Sequence, residues 1–590
     1  MTDWNKEDER IAQVEDWYRI AYENDGDWRD RAEAAYDFYW GELRATFSDA
    51  QQAELEEAKA PMLSINKVQP RVNMLAAMQR LNRYEPVVKA ETDPKDVPVG
   101  KILTHVMRHI NNKNDQDFLD SWTFMDACIG GRGYHGSYID YTNNFFGDAA
   151  TRYINPFNVL FDPTSIRPDW LDAEFVIEQR WFTLDEIQRF WGKRKSKLAE
   201  TIFENRQMLG DSADGDVFTT GQARISMDHY RVKECWHRTY EELPYLADVR
   251  TGDLKHMPDE DEAFRIASQY PGRFYQISIW KARMNVTVMS CGVEMFHGPS
   301  PYESPRYNIF PTFCFYVGGR QDGVVESLKY PQMEINKRRS QMLHITNKTA
   351  HSPWVQDQNA VVGGDDLLEK KGTRLDVITK RPGSTVDRIP AGDFPIGLVR
   401  LEQMADQELQ DVLGISVETL PTGGMGTGGS GRAIALRQQQ GMKMLSLPMD
   451  NQRLTRRNWG RWLLRTIQQF YTTERVFRID EPDEQGRDRY IAINARDYDR
   501  IKNDVTVGDY DVVVAEEPLS PTNRQAMYNT FVELLHQGIP IPPDLVVELS
   551  DMPRKEDVIA RLRDYAQEQQ NAGGGKRDAE RARETVPVGA

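Results

Sequence analysis

The sequence predicts an α+β protein, and three observations carry that reading. Apolar residues recur at helical spacing through most of the first third, as at Ile11, Val14, Tyr18 and Ala21 and again at Trp28, Ala32, Ala35 and Tyr39. Short runs of strand character, bounded by turn residues, take over between 134 and 320. From 323 the pattern becomes a long helix, short strands broken by glycines, and a second long helix. Helices and strands gathered in separate blocks, without regular alternation, are the α+β pattern.

Taken in order, the first two helical runs are expected to separate at Gly26. A third helix is expected after Pro61, with Ile65, Val68, Val72 and Leu75 on one face, and two more over Val99–Ile110 and Phe118–Ile129. Strands are expected at Tyr134–Tyr141, Thr151–Phe161, 228–238 and 275–290, with Gly147 and Asp162-Pro163 as turn residues. Residues 323–350 read as one helix with the polar and basic insert Asn336-Lys337-Arg338-Arg339. Residues 351–392 read as short strands broken by Gly363-Gly364-Asp365-Asp366, Lys371-Gly372 and Arg381-Pro382-Gly383. In 395–414, Leu398, Leu401, Ala405, Leu409 and Val412 keep helical spacing and Gly414 closes the helix. A β unit held between two long helices is a projecting stalk. Arg432 to Tyr471 reads as a long helix kinked at Gly441 and Pro448. Strands near 475–480, 489–493 and 509–515, helices at 522–536 and 555–569, and a disordered Gly- and charge-rich tail over 571–590 complete the chain.

The chain has 590 residues, 39% hydrophobic and 28% charged, which supplies ample core material. Its net charge of −17 excludes a simple DNA clamp, which needs clustered Lys and Arg. Cys128, Cys235, Cys291 and Cys314 stand far apart, so a zinc ribbon is excluded and a disulfide framework is not expected. The N-terminus lacks a basic segment followed by an apolar run, and no stretch approaches the roughly 20 apolar residues that span a bilayer. A protein made in a cytoplasm, with no membrane partner, is expected.

No motif for catalysis is complete. Gly426 and Gly431 have phosphate-loop spacing, but Arg432 replaces the lysine and Ala433 the hydroxyl residue that would hold Mg²⁺. Six glycines among Gly423, Gly424, Met425, Gly426, Thr427, Gly428, Gly429, Ser430 and Gly431 make a flexible linker, or a loop that tolerates close and changing contact. His105 and His109 are four apart, yet Val106 stands where a zinc protease has its glutamate. Asp365 and Asp366 read as turn chemistry. No catalytic residue, metal ligand or cofactor site is therefore expected. The helix after the glycine loop carries Arg432, Arg437, Lys443, Arg453, Arg456, Arg457, Arg461 and Arg465 against the single acid Asp450. Arg453, Arg457, Arg461 and Arg465 step by four and share a side, which is either a solvated face or one that meets acidic protein or phosphate.

Several segments point to a family. They are Pro61-Met62-Leu63-Ser64-Ile65-Asn66-Lys67-Val68, Asn82-Arg83-Tyr84-Glu85-Pro86, Asp126 through Gly130-Gly131-Arg132-Gly133 to Asn155-Pro156-Phe157-Asn158-Val159, Asp162-Pro163 and Asp172-Ala173. Leu413-Gly414-Ile415-Ser416 and Ser430-Gly431-Arg432-Ala433-Ile434 follow in the same order. Over about 1–570 this arrangement resembles the portal (head-to-tail connector) proteins of tailed phages, of the short-tailed podovirus type. The resemblance implies a wing at 1–322 with 473–515 returning to it, stem helices at 323–350 and 393–414, and a clip at 351–392. It further implies a tunnel loop at 415–431, a long kinked helix at 432–472 and a crown at 516–570. It implies a twelve-subunit ring at the portal vertex of the virion, passing double-stranded DNA during packaging and ejection. Partners would be the terminase large subunit, then a tail adaptor, with capsid and scaffolding proteins around the ring. Gly423–Arg432 would face DNA, while Arg437, Arg453, Arg457, Arg461, Arg465, Lys337 and Arg338 would meet DNA or a neighbouring subunit. Asp365, Asp366, Lys370, Lys371 and Arg374 would face the terminase or adaptor. A tail adaptor or scaffold is the alternative structural reading. A packaging NTPase or nuclease lacks the phosphate loop or acid cluster it would need.

Overall fold

The computed structural model describes residues 7–91, 96–208, 229–252, 254–257, 260–350, 354–356, 382–383, 385–388, 396–412, 446–479, 489–497 and 500–516, with a few positions between 528 and 547. Within these it is a mixed helix-and-sheet protein of the α+β class.

Helix α1 (Glu7–Trp40) runs through Gly26 without a break. Its buried residues Val14, Trp17, Ala21, Asp25, Trp28, Ala32, Ala35 and Tyr39 step by three and four, so one stripe faces inward along the whole length. Gly26 lies off that stripe, with nothing within 4 Å of where a Cβ would stand. A helical glycine costs about 1 kcal/mol relative to alanine, too little to end a helix packed on both sides of it.

Helices α2 (Leu43–Thr46) and α3 (Asp49–Glu57) follow, and then an extended segment leads into α4 (Val68–Leu81). Ile65 belongs to that extended segment and not to the helix face assigned to it from the sequence. Its neighbourhood explains why. The backbone N–H groups of Leu63, Ile65 and Lys67 donate to the side chains of Ser340 (3.0 Å), Asn336 (3.0 Å) and Gln332 (3.1 Å), all on helix α10 (Val324–Ala350). Two residues of extended chain span about 6.6 Å and four residues of helix about 6 Å. Alternate N–H groups therefore meet every fourth helical side chain.

Strand β1 (Tyr84–Ala90) precedes α5 (Val97–Lys113) and α6 (Gln116–Gly130). Strand β2 (Arg132–Asp140) then turns straight back over α6. Gly131 takes φ +92°, and a Cβ on Gly133 would stand 1.9 Å from the Thr123 carbonyl oxygen. Only a residue without a side chain permits so close a crossing of strand and helix.

The run expected as one strand over 151–161 is two, β3 (Asp148–Ile154) and β4 (Val159–Phe161), separated by a 3₁₀ turn at Pro156–Asn158. Pro156 has no N–H for a ladder, and the Asn155 side chain accepts from Phe157 N to close the turn.

Next come β5 (Phe175–Thr183), α7 (Leu184–Trp191), α8 (Lys193–Met208), β6 (His229–Asp248), β7 (Leu254–His256), α9 (Glu260–Gln269), β8 (Phe274–Ser290) and β9 (Val293–Pro299). They build a six-stranded sheet in the order β4-β5-β6-β8-β9, with β7 beside the far end of β6. Strand β6 continues ten residues beyond the expected 228–238, through Pro244. It stays extended because it pairs with β8 along the whole stretch from Val232↔Ser290 to Asp248↔Phe274.

Strand β10 (Ile309–Phe313) joins β2 and β3 in a three-stranded sheet, and β11 (Phe315–Val317) and β12 (Arg320–Asp322) form a hairpin leading into α10. Beyond α10, β13 (Trp354–Gln356) pairs with β14 (Val386–Arg388), and α11 (Ile396–Asp411) returns along α10. Arg339 reaches Glu402 (2.9 Å) and Lys67 reaches Asp406 (2.7 Å), which ties the two helices to the body. Helix α12 (Ser446–Phe470) precedes the pairs β15 (Arg475–Ile479) with β16 (Arg489–Ile493) and β17 (Ala495–Asp497) with β18 (Arg500–Lys502). Strand β19 (Tyr510–Glu516) pairs antiparallel with β1 through Val88↔Val512, residues 424 positions apart. The crown helices expected at 522–536 and 555–569 and the tail fall outside the described residues, apart from the few positions between 528 and 547.

Three cores result. One gathers α1, α4, α6, α10 and α11 around Val68, Phe124, Leu328 and Leu409. A second lies against the six-stranded sheet around Trp170, Val176 and Trp236. The third joins α5, α12, β1 and β19 around Leu103, Trp459, Trp462 and Val512. Between α1, α6 and β3, the Asp126 carboxylate accepts from the Tyr36 (2.7 Å) and Tyr153 (2.6 Å) hydroxyls. Burial pushes its pKa up to about 6, against those two hydrogen bonds.

Replacing Gly26 with alanine should raise stability by about 0.5–1 kcal/mol, whereas Gly133→Ala should abolish the native fold; urea unfolding of both variants checks the contrast. Because the folded state holds the Asp126 proton more tightly than the unfolded chain, that contribution is present below about pH 4 and lost as pH rises to about 6. The stability of wild type relative to Asp126→Asn should therefore decline across that window, a trend readable from denaturation series at several pH values.

Candidate functional site

The site is built on α12, whose two sides differ in chemistry. Inward, Thr455 donates to the Pro311 carbonyl (2.6 Å), Trp459 donates to Ser137 (3.0 Å), and Trp462, Leu463 and Ile467 fill the third core. Gly460 lets the helix sit close to the β1–β19 pair, since a Cβ there would stand 2.8 Å from Val512. Pro448 lies in the first turn of the described helix, and Gly441 lies outside the described residues.

Arg456 is the one inward base, and it is only 2% exposed. Its guanidinium donates to the Tyr84 carbonyl (3.2 Å) and the Asn111 side chain (2.6 Å), pairs with Asp120 (3.0 Å) and lies over Trp459. Burial pushes the Asp120 carboxyl up, and the Arg456 charge opposes that shift. This base holds the core together and stands outside the outward row, as the step of four implies.

The outward row is Arg453, Arg457, Arg461 and Arg465, and all four lie on the open side of the helix as their spacing predicts. Arg461 forms a two-pronged pair with Asp511 on β19 (2.9 and 3.1 Å), and Arg453 reaches the Val514 carbonyl at 3.4 Å. Arg453, Arg457, Arg461, Asp450 and Asp511 line a cleft of about 340 Å³ between the helix and β19. Arg306, from the loop before β10, donates to Asn458 on the same helix (3.1 Å). Burial and then the charges of Arg461 and, more weakly, Arg457 lower its pKa, so it adds to the basic face. Sequence reasoning missed Arg306 because it lies some 150 positions away and joins the helix only through the fold; Asp511 was missed for the same reason.

Lys337 and Arg338 lie on α10, far from this row in sequence and on a different core. Arg338 is engaged within its own helix, with Glu334 (3.4 Å) and Gln341 (3.4 Å). Their neighbour Asn336 is buried and serves the Ile65 contact, so the polar insert holds an extended segment in place. Gly423, Gly424, Gly426, Thr427, Gly428, Gly429, Ser430, Gly431, Arg432 and Arg437 lie outside the described residues, as do Asp365, Asp366, Lys370, Lys371 and Arg374. His109 packs edge-on to Phe477 at 5.3 Å. Among the described residues no group of three or more potential metal ligands occurs, and no helix is long and apolar enough to cross a membrane. All four cysteines are buried.

The long helix thus buries one flank and offers a row of guanidinium groups on the other. A family model described as phage P22-like portal protein matches residues 15–585. The chain thus belongs to the phage P22-like portal protein family, virion components placed at a capsid vertex that serve DNA packaging. No curated protein matches it.

Removing one partner of a buried ion pair costs about 3–5 kcal/mol, so Arg456→Leu should lower stability by that order. Arg457→Ala should stay within about 0.5 kcal/mol of wild type, as surface changes do. Paired thermal and urea melts separate the inward base from the outward one.

Proposed function

We propose that copies of this chain assemble head to tail into a ring around a channel for double-stranded DNA, without catalysis of their own. The observation that carries the reading is the family match over nearly the whole chain. In this reading 1–322 and 473–515 form the wing, α10 and α11 the stem, 351–392 the clip, 415–431 the tunnel loop and 516–570 the crown. The return of β19 to β1 and the antiparallel course of α10 and α11 support the first two assignments. The clip docks the terminase large subunit during packaging and a tail adaptor afterwards, with capsid and scaffolding proteins around the ring. Twelve copies are expected, assembled in the host cytoplasm.

The electrostatics suit a conduit. A chain of net −17 repels phosphate on balance, which disfavours strong fixed contacts with DNA. The outward row on α12, with Arg306 beside it, reverses that sign locally and gives weak contacts that re-form as DNA moves.

Microscopy of the purified protein should show rings with a central channel of about 20 Å or more, a width set by the dimensions of B-DNA; a chain that remains monomeric refutes the reading. The double variant Arg457→Glu with Arg465→Glu should leave rings intact and reduce the DNA retained per head several-fold. Rings that fall apart in this variant would instead make the row a contact between subunits.

A further inference from the structure

A cavity of about 550 Å³ opens between the six-stranded sheet and the sheet of β2, β3 and β10, a size typical of small-molecule sites. Its walls come from segments far apart in sequence. Trp236 of β6 and Tyr302, in the loop before β10, lie nearly parallel with ring centroids 6.1 Å apart. Both are held in place: the Trp236 indole donates to Glu234 (2.9 Å), and Tyr302 packs edge-on to Trp462 of α12 (5.0 Å). Phe296 of β9 adds a third ring, 46% exposed. Aromatic walls of this kind favour a flat ligand with apolar faces.

One lining side chain is unsatisfied. Asn308 is 5% exposed, its main-chain carbonyl accepts from Ser137 N (2.8 Å), and its side-chain oxygen has no partner. Buried polar groups are nearly always paired, so this acceptor in the cavity wall calls for a donor from outside the chain. Donors are at hand as well. Arg180 pairs with Glu178 through Nε (3.0 Å) and with Glu234 through Nη2 (3.2 Å), and its Nη1 is unengaged among the described residues. Arg152 lines the same cavity, so two guanidinium groups stand there against one lining carboxylate, Glu234; Glu178 lies beneath them, 2% exposed.

Three demands on a ligand follow: flat apolar faces, an edge with both donors and acceptors for the Asn308 carboxamide, and an anionic substituent for the guanidinium side. A nucleotide meets all three. A carboxamide matches the amino and ring-nitrogen edge of adenine with two hydrogen bonds, and guanidinium groups bind phosphate. We propose that this cavity binds an adenine nucleotide, the base among Trp236, Tyr302 and Phe296, its edge on Asn308 and its phosphate toward Arg180. Free adenosine monophosphate and an unpaired adenine of a DNA strand present the same chemistry, and the test separates them.

The full chain is titrated calorimetrically with adenosine monophosphate, with ribose phosphate and with a short single-stranded oligodeoxyadenylate. Adenosine monophosphate should bind and ribose phosphate should not. Asn308→Leu removes the carboxamide without leaving a buried group unpaired, and should weaken that binding about tenfold. Phe296→Ala should weaken it several-fold, and since Phe296 is half exposed this variant still decides the matter if Asn308→Leu fails to fold. An oligonucleotide that displaces adenosine monophosphate would identify the ligand as an unpaired base of a strand; one that leaves it bound would identify the free nucleotide. Ribose phosphate binding as tightly as the nucleotide would show a phosphate contact alone, such as the row on α12 offers, and would overturn the site. So would an affinity that neither variant changes, or no binding of adenosine monophosphate at millimolar concentration.

Discussion

The buried guanidinium of Arg132 is the interaction on which the body depends. It pairs with Asp25 on α1 (2.5 Å), donates to Gln321 on β12 (2.9 Å) and lies 3.8 Å from the Trp28 ring centroid. Three segments separated by more than a hundred residues each thus converge on one side chain. The ion pair can be buried because several groups share the desolvation: Asp25 also takes Arg29 (3.0 Å), and the Trp28 indole donates to the Gly130 carbonyl (2.7 Å). The glycines on either side of Arg132 bring the strand close enough for this to happen. A bulkier residue at 133 would push β2 off α6 and draw the guanidinium away from its partners.

Much of the fold is legible from periodicity. The inward stripe of α1, the helices α5 and α6, the paired helices α10 and α11, and the strands 475–479, 489–493 and 510–516 all follow from apolar spacing. Gly26 misled because a helix glycine weakens only its own turn, while the anchoring of α1 comes from residues on both sides. Ile65 misled because an apolar residue in register with a helix can equally belong to an extended segment. What decides is the partner face on α10, some 270 positions away. Strand β6 is longer than its local sequence suggests because its partner is long.

The basic helix shows where legibility ends. Spacing by four places Arg453, Arg457, Arg461 and Arg465 on one side and leaves Arg456 off it, but it does not tell that Arg456 serves the core. That distinction depends on Asp120 and Asn111, which arrive from α6 and α5. Asp511 likewise ties Arg461 to β19, so the row is partly neutralised by the fold itself. Its remaining charge lies on Arg453, Arg457, Arg465 and the adjoining Arg306.

The grip of the Leu63–Lys67 segment on α10 works like a vernier. Two ladders of unequal pitch coincide only over a few rungs: the mismatch is about 0.6 Å per rung, and hydrogen-bond length tolerates about 0.5 Å. Three rungs, at Gln332, Asn336 and Ser340, are what such a mismatch allows. Beyond Ser340 the helix runs ten residues further without that grip, a lever of about 15 Å. Any load applied at its far end is therefore transmitted to the body through the last rung, the bond between Leu63 and Ser340, before the others feel it.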